Sequence, residues 1–277
     1  MIERRRLALN RITCPGLSIP ELLELALELE IGQIELRNDL DDGRVTDALT
    51  PQQVKEAADA RGIQIISINA LQKFNLGALR GQTLQELEQL LETALGVGCP
   101  AIVLCPNNDL EDVRPAAQKY QETVDALEVM RPLFERHHMV GLVEPLGFVE
   151  CSLRSAREAL RATDTIGGDC FKLVHDTFHH HLGPDGPGLL DEAAYAATVG
   201  LIHVSGVEAE IPREELRDPH RVLPGASDRL GSREQIERLS AAGFDGPISF
   251  EPFATEIQTL ERDALKHALE VSIAALN

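Results

Sequence analysis

The chain has 277 residues and a formal charge of −19, with 45 acidic side chains against 26 basic ones. Such an excess of acidic groups repels phosphate backbones, whose neutralisation by Lys and Arg supplies most of the affinity in nucleic-acid binding. Anionic membrane surfaces are disfavoured for the same electrostatic reason. The composition therefore argues against nucleic-acid and membrane partners, whereas a neutral small molecule such as a sugar or polyol meets no such repulsion.

The cysteines and the N-terminus together indicate a cellular compartment. Five scattered cysteines, without a C-x-x-C motif, favour free thiols in a reducing environment over a disulfide framework. The first residues, MIERRRLALNRIT, turn polar too early for the apolar core of a signal peptide. No apolar run approaches the ~18 residues of a membrane-spanning helix. We therefore expect a cytoplasmic protein.

Short apolar runs rich in β-branched residues recur along the chain and predict strands. The predicted strands cover residues 7–13, 33–36, 63–69, 101–105, 140–144, 171–176, 201–205 and 247–251. Between them lie stretches whose apolar residues recur at three- and four-residue spacing, which is typical of amphipathic helices. The predicted helices cover residues 20–30, 51–62, 84–98, 116–137, 152–163, 189–200, 232–244 and 255–276.

Eight alternating strand–helix units without a Pro-, Gly- or Ser-rich linker predict parallel strands joined by crossover helices. This number matches a closed (β/α)8 barrel, an α/β fold that commonly occupies ~250 residues. We therefore predict a single TIM-barrel domain over residues 1–277. An open doubly wound sheet is the alternative, but the loop 13-TCPGLSIPE-21 lacks the G-x-G-x-x-G motif expected there.

One predicted connection is longer than the others and lies at the expected catalytic face. Residues 206–231, after the seventh strand, are rich in charged side chains. Active sites of TIM barrels are built from the loops that follow the strands. This segment is therefore a candidate lid over the barrel mouth.

Four potential metal ligands fall on four consecutive predicted strands. Glu144, Asp176 and Glu251 close the fifth, sixth and eighth strands, and His203 lies in the seventh. Charged groups on buried strands are costly unless they are paired. Three carboxylates and one imidazole would suit a single divalent cation such as Mn²⁺, Mg²⁺, Co²⁺ or Zn²⁺, with positions left for substrate or water. Separate surface charges at strand ends are the alternative interpretation.

The histidine-rich stretch 175-HDTFHHH-181 contributes one predicted ligand and several other side chains. Asp176 ends the sixth strand, and His179 in the following turn points into the same pocket as a substrate contact or outer ligand. His175 precedes Asp176 on the strand, so its side chain faces the helices instead. We assign no role to His180 and His181.

These residues resemble the metal site of the xylose-isomerase-like sugar epimerase/isomerase superfamily, and the chain is similar to its inosose (2-keto-myo-inositol) isomerases. The four-residue set marks the superfamily, whereas segments 68–75 and 218–225 indicate the inosose branch. The similar segments are 34-IELR-37, 68-INALQKFN-75, 141-GLVEPLGFVECSL-153, 175-HDTFHHHLG-183, 218-DPHRVLPG-225 and 242-AGFDGPISFEPF-253.

The resemblance implies one divalent metal ion held by the four residues, with Glu144 and Glu251 also acting as the acid/base pair. Substrate oxygens would bind His179 and Arg221, and Glu150 would lie near the pocket. An apolar wall for the ring would come from Phe74, Phe148 and Phe253. The chain departs from the family after Pro224-Gly225, where a further Gly and an apolar–Asp pair give way to 226-ASDRLG-231.

The implied reaction is isomerisation or epimerisation of a keto-polyol or keto-sugar, above all an inosose, by proton transfer through a metal-stabilised enediolate. It needs no nicotinamide, flavin or pyridoxal group. The resemblance to this family also implies that the chain forms a homodimer or homotetramer. The alternatives are an inosose dehydratase, a ketohexose or hydroxypyruvate isomerase or epimerase, an abasic-site endonuclease on the same barrel, and a non-catalytic barrel that binds a metal or polyol. The charge of −19 argues against the endonuclease.

Overall fold

Eight parallel strands form a closed barrel in the computed structural model, which describes residues 2–40 and 43–277. Each strand pairs with its neighbours in sequence, and β1 closes the barrel on β8. The strands are β1 (Leu7–Asn10), β2 (Gln33–Arg37), β3 (Gln64–Leu71), β4 (Ala101–Leu104), β5 (Val140–Val143), β6 (Phe171–Asp176), β7 (Val199–Val204) and β8 (Ile248–Phe250). The predicted TIM-barrel fold is confirmed; of the predicted domain limits, Met1 and residues 41–42 lie outside the described residues.

Helices surround the barrel and follow the predicted alternation. They are α1 (Ile19–Glu28), α2 (Pro51–Asp59), α3 (Arg80–Val97), α4 (Ala116–His137), α5 (Ala156–Ile166), α6 (Thr177–Leu182), α7 (Ala193–Thr198), α8 (Ser232–Ala241), α9 (Thr255–Gln258) and α10 (Arg262–Ala275). Capping boxes of Ser18 with Glu21 and of Thr50 with Gln53 begin α1 and α2. No helix in the described part of the chain is both long enough and apolar enough to cross a membrane.

The predicted helix over residues 189–200 is wrong in extent. A 3-10 helix, Pro187–Asp191, precedes the short α7, and Val199 and Gly200 already belong to β7. Val199 pairs with Leu173 of β6, so the sheet hydrogen bonds outweigh the local helical pattern there. The histidine stretch also differs from the predicted turn, because residues 177–181 belong to α6, whose six residues make about 1.7 helical turns.

Two further boundaries differ from the prediction for local reasons. The first strand ends at Asn10 because the side-chain oxygen of Asn10 accepts a hydrogen bond from the Ile12 amide and begins a 3-10 turn over Arg11–Thr13. The last predicted helix is interrupted after α9, where the Thr259 hydroxyl donates to the Thr255 carbonyl and Glu261 is extended. The first difference shortens β1 and the second divides a helix, and neither removes a strand from the barrel.

The core has an outer layer and an inner layer. The larger apolar cluster lies between the strands and the helices, and a smaller one contains Leu142, Val174 and Leu201. Each of these three residues lies two positions before a predicted site residue, so it shares that residue's face of the strand. The barrel interior is therefore apolar below the level at which the charged side chains begin.

A close approach at Gly147 provides a test of how the catalytic-face loops pack. A Cβ atom at Gly147 would lie 2.2 Å from the backbone oxygen of His179. We expect Gly147→Ala to lower the free energy of unfolding by about 1–3 kcal/mol, the usual cost of overpacking. Gly186→Ala is the matched control, because no heavy atom lies within 4 Å of its Cβ position. Urea unfolding measures both variants, and equal midpoints would contradict the packing.

Candidate active site

The ends of the last four strands bring the four predicted metal ligands together. Glu144 and Glu251 follow directly on β5 and β8, Asp176 ends β6, and His203 lies in β7. All four are buried, and one ligand atom from each lies within 4.8 Å of the others. Separate surface charges, the alternative interpretation, would be exposed and apart, which these residues are not.

His203 lies at the centre of this cluster, with no exposed surface. Its Nδ1 atom is 2.8 Å from Glu144 Oε1 and 3.3 Å from Glu251 Oε2, and its Nε2 atom is 3.2 Å from Glu35 Oε2. Burial alone would lower the pKa of the imidazole, but the carboxylates of Glu251, Glu35 and Glu144 raise this pKa well above its ordinary value.

Glu251 is held by donors on both carboxylate oxygens. Its Oε1 atom accepts hydrogen bonds from Asn10 Nδ2 at 3.1 Å and Arg37 Nη1 at 2.8 Å, and its Oε2 atom accepts one from Arg221 Nη2 at 2.8 Å. Burial opposes its ionisation, but the positive charges of His203, Arg221 and Arg37 outweigh that effect and lower its pKa to about 2. Glu251 is therefore a fixed carboxylate.

Glu144 has weaker partners than Glu251. Its Oε1 atom faces His203 Nδ1, and its Oε2 atom accepts a hydrogen bond from the Cys105 thiol at 3.4 Å. Burial, followed by the neighbouring carboxylate of Glu144, raises the pKa of this thiol well above its usual value, so Cys105 stays a neutral donor. The two glutamates of the predicted acid/base pair thus have different environments.

The charge of the cluster fits a divalent cation. Four buried carboxylates face two buried guanidinium groups. The carboxylates belong to Glu35, Glu144, Asp176 and Glu251, and the guanidinium groups belong to Arg37 and Arg221. Without a metal ion the His203 imidazolium is a third cation, and one negative charge of the described cluster then has no buried counter-charge; with the neutral imidazole that a metal ion requires, two have none. Asp39 and Asp218, the other partners of the arginines, lie nearer to solvent. Three carboxylates and one imidazole suit Mn²⁺, Mg²⁺, Co²⁺ or Zn²⁺. The residues present therefore fit the predicted metal ion, without selecting one.

Arg221 reaches the cluster from the long connection 206–231. Its guanidinium lies 2.6 Å from Asp176 Oδ2 and stacks 4.6 Å from the centre of the Phe253 ring. The amides of Phe253 and Ala254 both donate to the Arg221 carbonyl, so the backbone is tied to the segment after β8. The connection that was a candidate lid thus inserts one side chain, and only 1% of Arg221 remains exposed.

The predicted substrate contact His179 lies beside Asp176 in α6. Asp176 Oδ1 accepts a hydrogen bond from the His179 amide at 2.8 Å and so caps the helix. The His179 ring accepts a hydrogen bond at Nδ1 from the Gly147 amide and packs edge-on against Phe148. In the neutral ring, the proton is therefore on Nε2, which makes that atom a hydrogen-bond donor.

The other histidines of the stretch face away from the cluster. His175 Nδ1 lies 3.1 Å from the Tyr195 hydroxyl and its Nε2 lies 3.0 Å from Gln235 Oε1, both in the helix layer. The prediction for His175 is confirmed. Burial lowers the pKa of His175 to about 3 and that of the half-buried His180 to about 4. Both rings are therefore neutral at physiological pH.

Glu150 and Phe74 are not brought into the cluster. Glu150 is half-buried in the turn after β5, and Phe74 is buried in the larger apolar cluster around the barrel. Among residues 2–40 and 43–277, no side-chain hydrogen bond or ion pair joins either residue to the charged cluster. Their roles at a substrate stay predictions.

Sequence reasoning missed the contribution of the first two strands. Asn10, Glu35 and Arg37 project into the cluster from β1 and β2, although the segment 34-IELR-37 had been noticed without a role. Gln33, Glu35 and Arg37 alternate with Ile34 and Leu36 in the sequence. Parallel strands are usually apolar on both faces, so polar residues at every second position were a usable signal.

Comparisons with known proteins agree with this architecture. The family model described as xylose isomerase-like TIM barrel matches residues 23–274. An inosose isomerase from Halalkalibacterium halodurans is 24% identical over 232 residues, which are 82% of this chain and 80% of that protein. A xylose isomerase domain containing protein from Salmonella typhimurium LT2 has a TM-score of 0.92 and 37% identity, with 100% of this chain and 98% of that chain covered. The IOLI protein, solved with a bound zinc atom, has a TM-score of 0.88 and 21% identity, with 98% and 97% covered.

The buried ion pairs of Arg221 make its removal a test of the charge balance. We expect Arg221→Met to lower the free energy of unfolding of the metal-free protein by about 3–5 kcal/mol, because Asp176 and Glu251 lose a buried counter-charge. Saturating Mn²⁺ should stabilise the variant more than the original protein, since the ion replaces that charge. Denaturant unfolding with a chelator and with Mn²⁺ measures both effects.

Arg238→Met is the matched control, because Arg238 forms its ion pair with the exposed Asp191 outside the cluster. Its loss should change stability far less than loss of Arg221. Equal stability of Arg221→Met and the original protein without metal would contradict the proposed balance of charges.

Proposed function

The chain belongs to the xylose isomerase-like TIM barrel family, and we propose that it is a divalent-metal-dependent isomerase or epimerase of a keto-polyol or keto-sugar. The observation that carries this proposal is the convergence of Glu144, Asp176, His203 and Glu251, whose ligand atoms lie within 4.8 Å of one another in a buried site. The inosose isomerase of H. halodurans supports an inosose, 2-keto-myo-inositol, as the substrate.

The reaction requires removal of a C–H proton next to a carbonyl group and its return to the same or the neighbouring carbon. When bound, a divalent ion supplies Lewis acidity that stabilises the negative charge developing on the substrate oxygens. Glu144 and Glu251 both face His203 Nδ1, and they provide the carboxylates for proton removal and return. No further prosthetic group is needed for this chemistry.

We assign the first proton removal to Glu144 on the basis of hydrogen bonding. Glu251 accepts hydrogen bonds from Asn10, Arg37 and Arg221, so its lone pairs are engaged and its basicity is reduced. Among the residues that the structure describes, Glu144 Oε2 accepts a hydrogen bond only from the Cys105 thiol, and a thiol is a weak donor. Its oxygen is thus easier to release to a substrate proton.

The charge of the site supports a neutral substrate. Substrate hydroxyl and carbonyl oxygens would be bound by Arg221, already 2.8 Å from Glu251, and by the Nε2–H donor of His179. With the ion bound, the buried carboxylates are balanced, so a phosphate or carboxylate on the substrate would add a negative charge without a buried counter-charge, which is costly. A polyol ring with one keto group offers oxygen atoms to these donors and carries no charge.

Proton NMR of the metal-loaded protein with 2-keto-myo-inositol in D2O tests the proposal. We expect deuterium at the carbon next to the carbonyl, together with the signals of a second inosose. Glu144→Gln should lower kcat by about 10²–10⁴, the usual contribution of a general base. Glu122→Gln is the control, because Glu122 bonds Arg114 and the Gly77 amide rather than the cluster, and it should leave kcat unchanged.

Other products would change the assignment in specific ways. Formation of a diketone with loss of water would identify a dehydratase. Deuterium exchange in a ketohexose but not in 2-keto-myo-inositol would identify the ketohexose as the substrate. Full activity of Glu144→Gln would contradict the assigned base. No exchange in any of these keto compounds, with the metal bound, would overturn the proposed activity.

A further inference from the structure

We infer that Glu35 is a positioning residue of the metal centre: its carboxylate holds His203 with the proton on Nε2, so that Nδ1 is free to bind the ion. The inference rests on the metal site of the proposed function, not on the identity of the substrate. Glu35 is outside the four-residue set whose ligand atoms converge. Its place in the barrel interior nevertheless puts it against one member of that set.

The two ring nitrogens of His203 face different carboxylates. Nδ1 faces Glu144 at 2.8 Å and Glu251 at 3.3 Å, on the side where the four ligand atoms converge, and Nε2 faces Glu35 at 3.2 Å. An imidazole binds a metal ion only through a nitrogen without a proton. An ion among Glu144, Asp176 and Glu251 is therefore reached by Nδ1, and the ring proton must be on Nε2.

Groups in the same site also favour the other tautomer of His203, which has its proton on Nδ1. Two carboxylates next to Nδ1 attract a proton to that nitrogen, and a proton there would block metal binding. A carboxylate on the opposite side of the ring stabilises the proton on Nε2 instead and makes Nδ1 a better ligand. Glu35 is the carboxylate at hydrogen-bond distance from Nε2.

Glu35 is itself fixed by neighbouring strands. In the strand register, Glu35 of β2 lies beside Asn10 of β1 and Ser67 of β3. The Ser67 hydroxyl and Asn69 Nδ2, at 3.0 Å, donate to Glu35 Oε2, and Asn10 Nδ2 donates to Oε1 at 3.2 Å. None of the surface of Glu35 is exposed, so its carboxylate cannot turn toward water. The barrel therefore presents a rigid acceptor to the His203 ring.

Metal affinity and the tautomer of His203 test the inference independently of turnover. We expect Glu35→Gln, which keeps an acceptor but loses the charge, to weaken Co²⁺ binding by about 10-fold, and Glu35→Ala by up to about 100-fold. Competition with a chromophoric chelator measures the affinity. In the ¹⁵N spectrum of the Zn²⁺-loaded protein, His203 should have its proton on Nε2, and Glu35→Ala should weaken or lose that signal.

Glu122→Gln makes the same chemical change in a partly buried carboxylate outside the cluster and should keep the affinity of the original protein. Thermal unfolding of the metal-free variants separates a folding defect from a loss of metal ligation. Equal Co²⁺ affinity of both Glu35 variants and the original protein, or a proton on Nδ1 in the loaded protein, would overturn the inference. Absence of Co²⁺ and Zn²⁺ binding in the original protein would overturn the metal site itself, and the role of Glu35 with it.

Discussion

Four buried carboxylates at one end of a barrel repel one another, and the remainder of the site is arranged around that repulsion. Water is largely excluded there, so charges act on one another more strongly than at the surface. Arg37 and Arg221 approach Glu251 from different strands and loops, and His203 lies between Glu144 and Glu35. These cations offset only part of the charge. The proposed divalent ion would supply the remaining positive charge, so the arrangement of charges is the main support for a metal-dependent reaction.

Barrel closure is what makes this arrangement possible. Arg37 belongs to β2 and contacts Glu251 after β8, a pairing across 214 residues of sequence that exists because β1 pairs with both strands. The strand register fixes side chains that share an interior level, such as Asp176 beside His203. Below them the interior is apolar. The polar level therefore begins where the strands end, and its geometry is set by the sheet.

The sequence was sufficient for those features that depend on local pattern. The eight strands follow from buried apolar runs, and the four converging ligands follow from ionisable residues at or near the ends of the last four of these runs. The helix over residues 189–200 failed because Val199 satisfies a helical spacing but pairs with Leu173 of β6, a contact that spacing cannot reveal. Glu35 and Arg37 could be noticed in the sequence because they alternate with apolar residues. Which side chain each of them contacts, however, depends on closure of the barrel. Arg221 entered only through resemblance, since no periodicity marks one loop side chain among many.

Because the site is built from both strands and loops, substrate preference can change in the loops while the strands stay the same. The metal-ligand candidates stand on or directly after strands, whereas Arg221 and His179 belong to the segments above them. The segment 226-ASDRLG-231, where the resemblance predicts a departure from the family, follows Arg221 in the sequence. This segment is structurally ordered, because Asp228 accepts hydrogen bonds from the amides of Val207, Leu230 and Ser232 and so ties the loop to the start of α8. A change in this loop can alter how Arg221 is presented to the site without moving a strand, and hence without disturbing the carboxylates to which we assign the proton transfer.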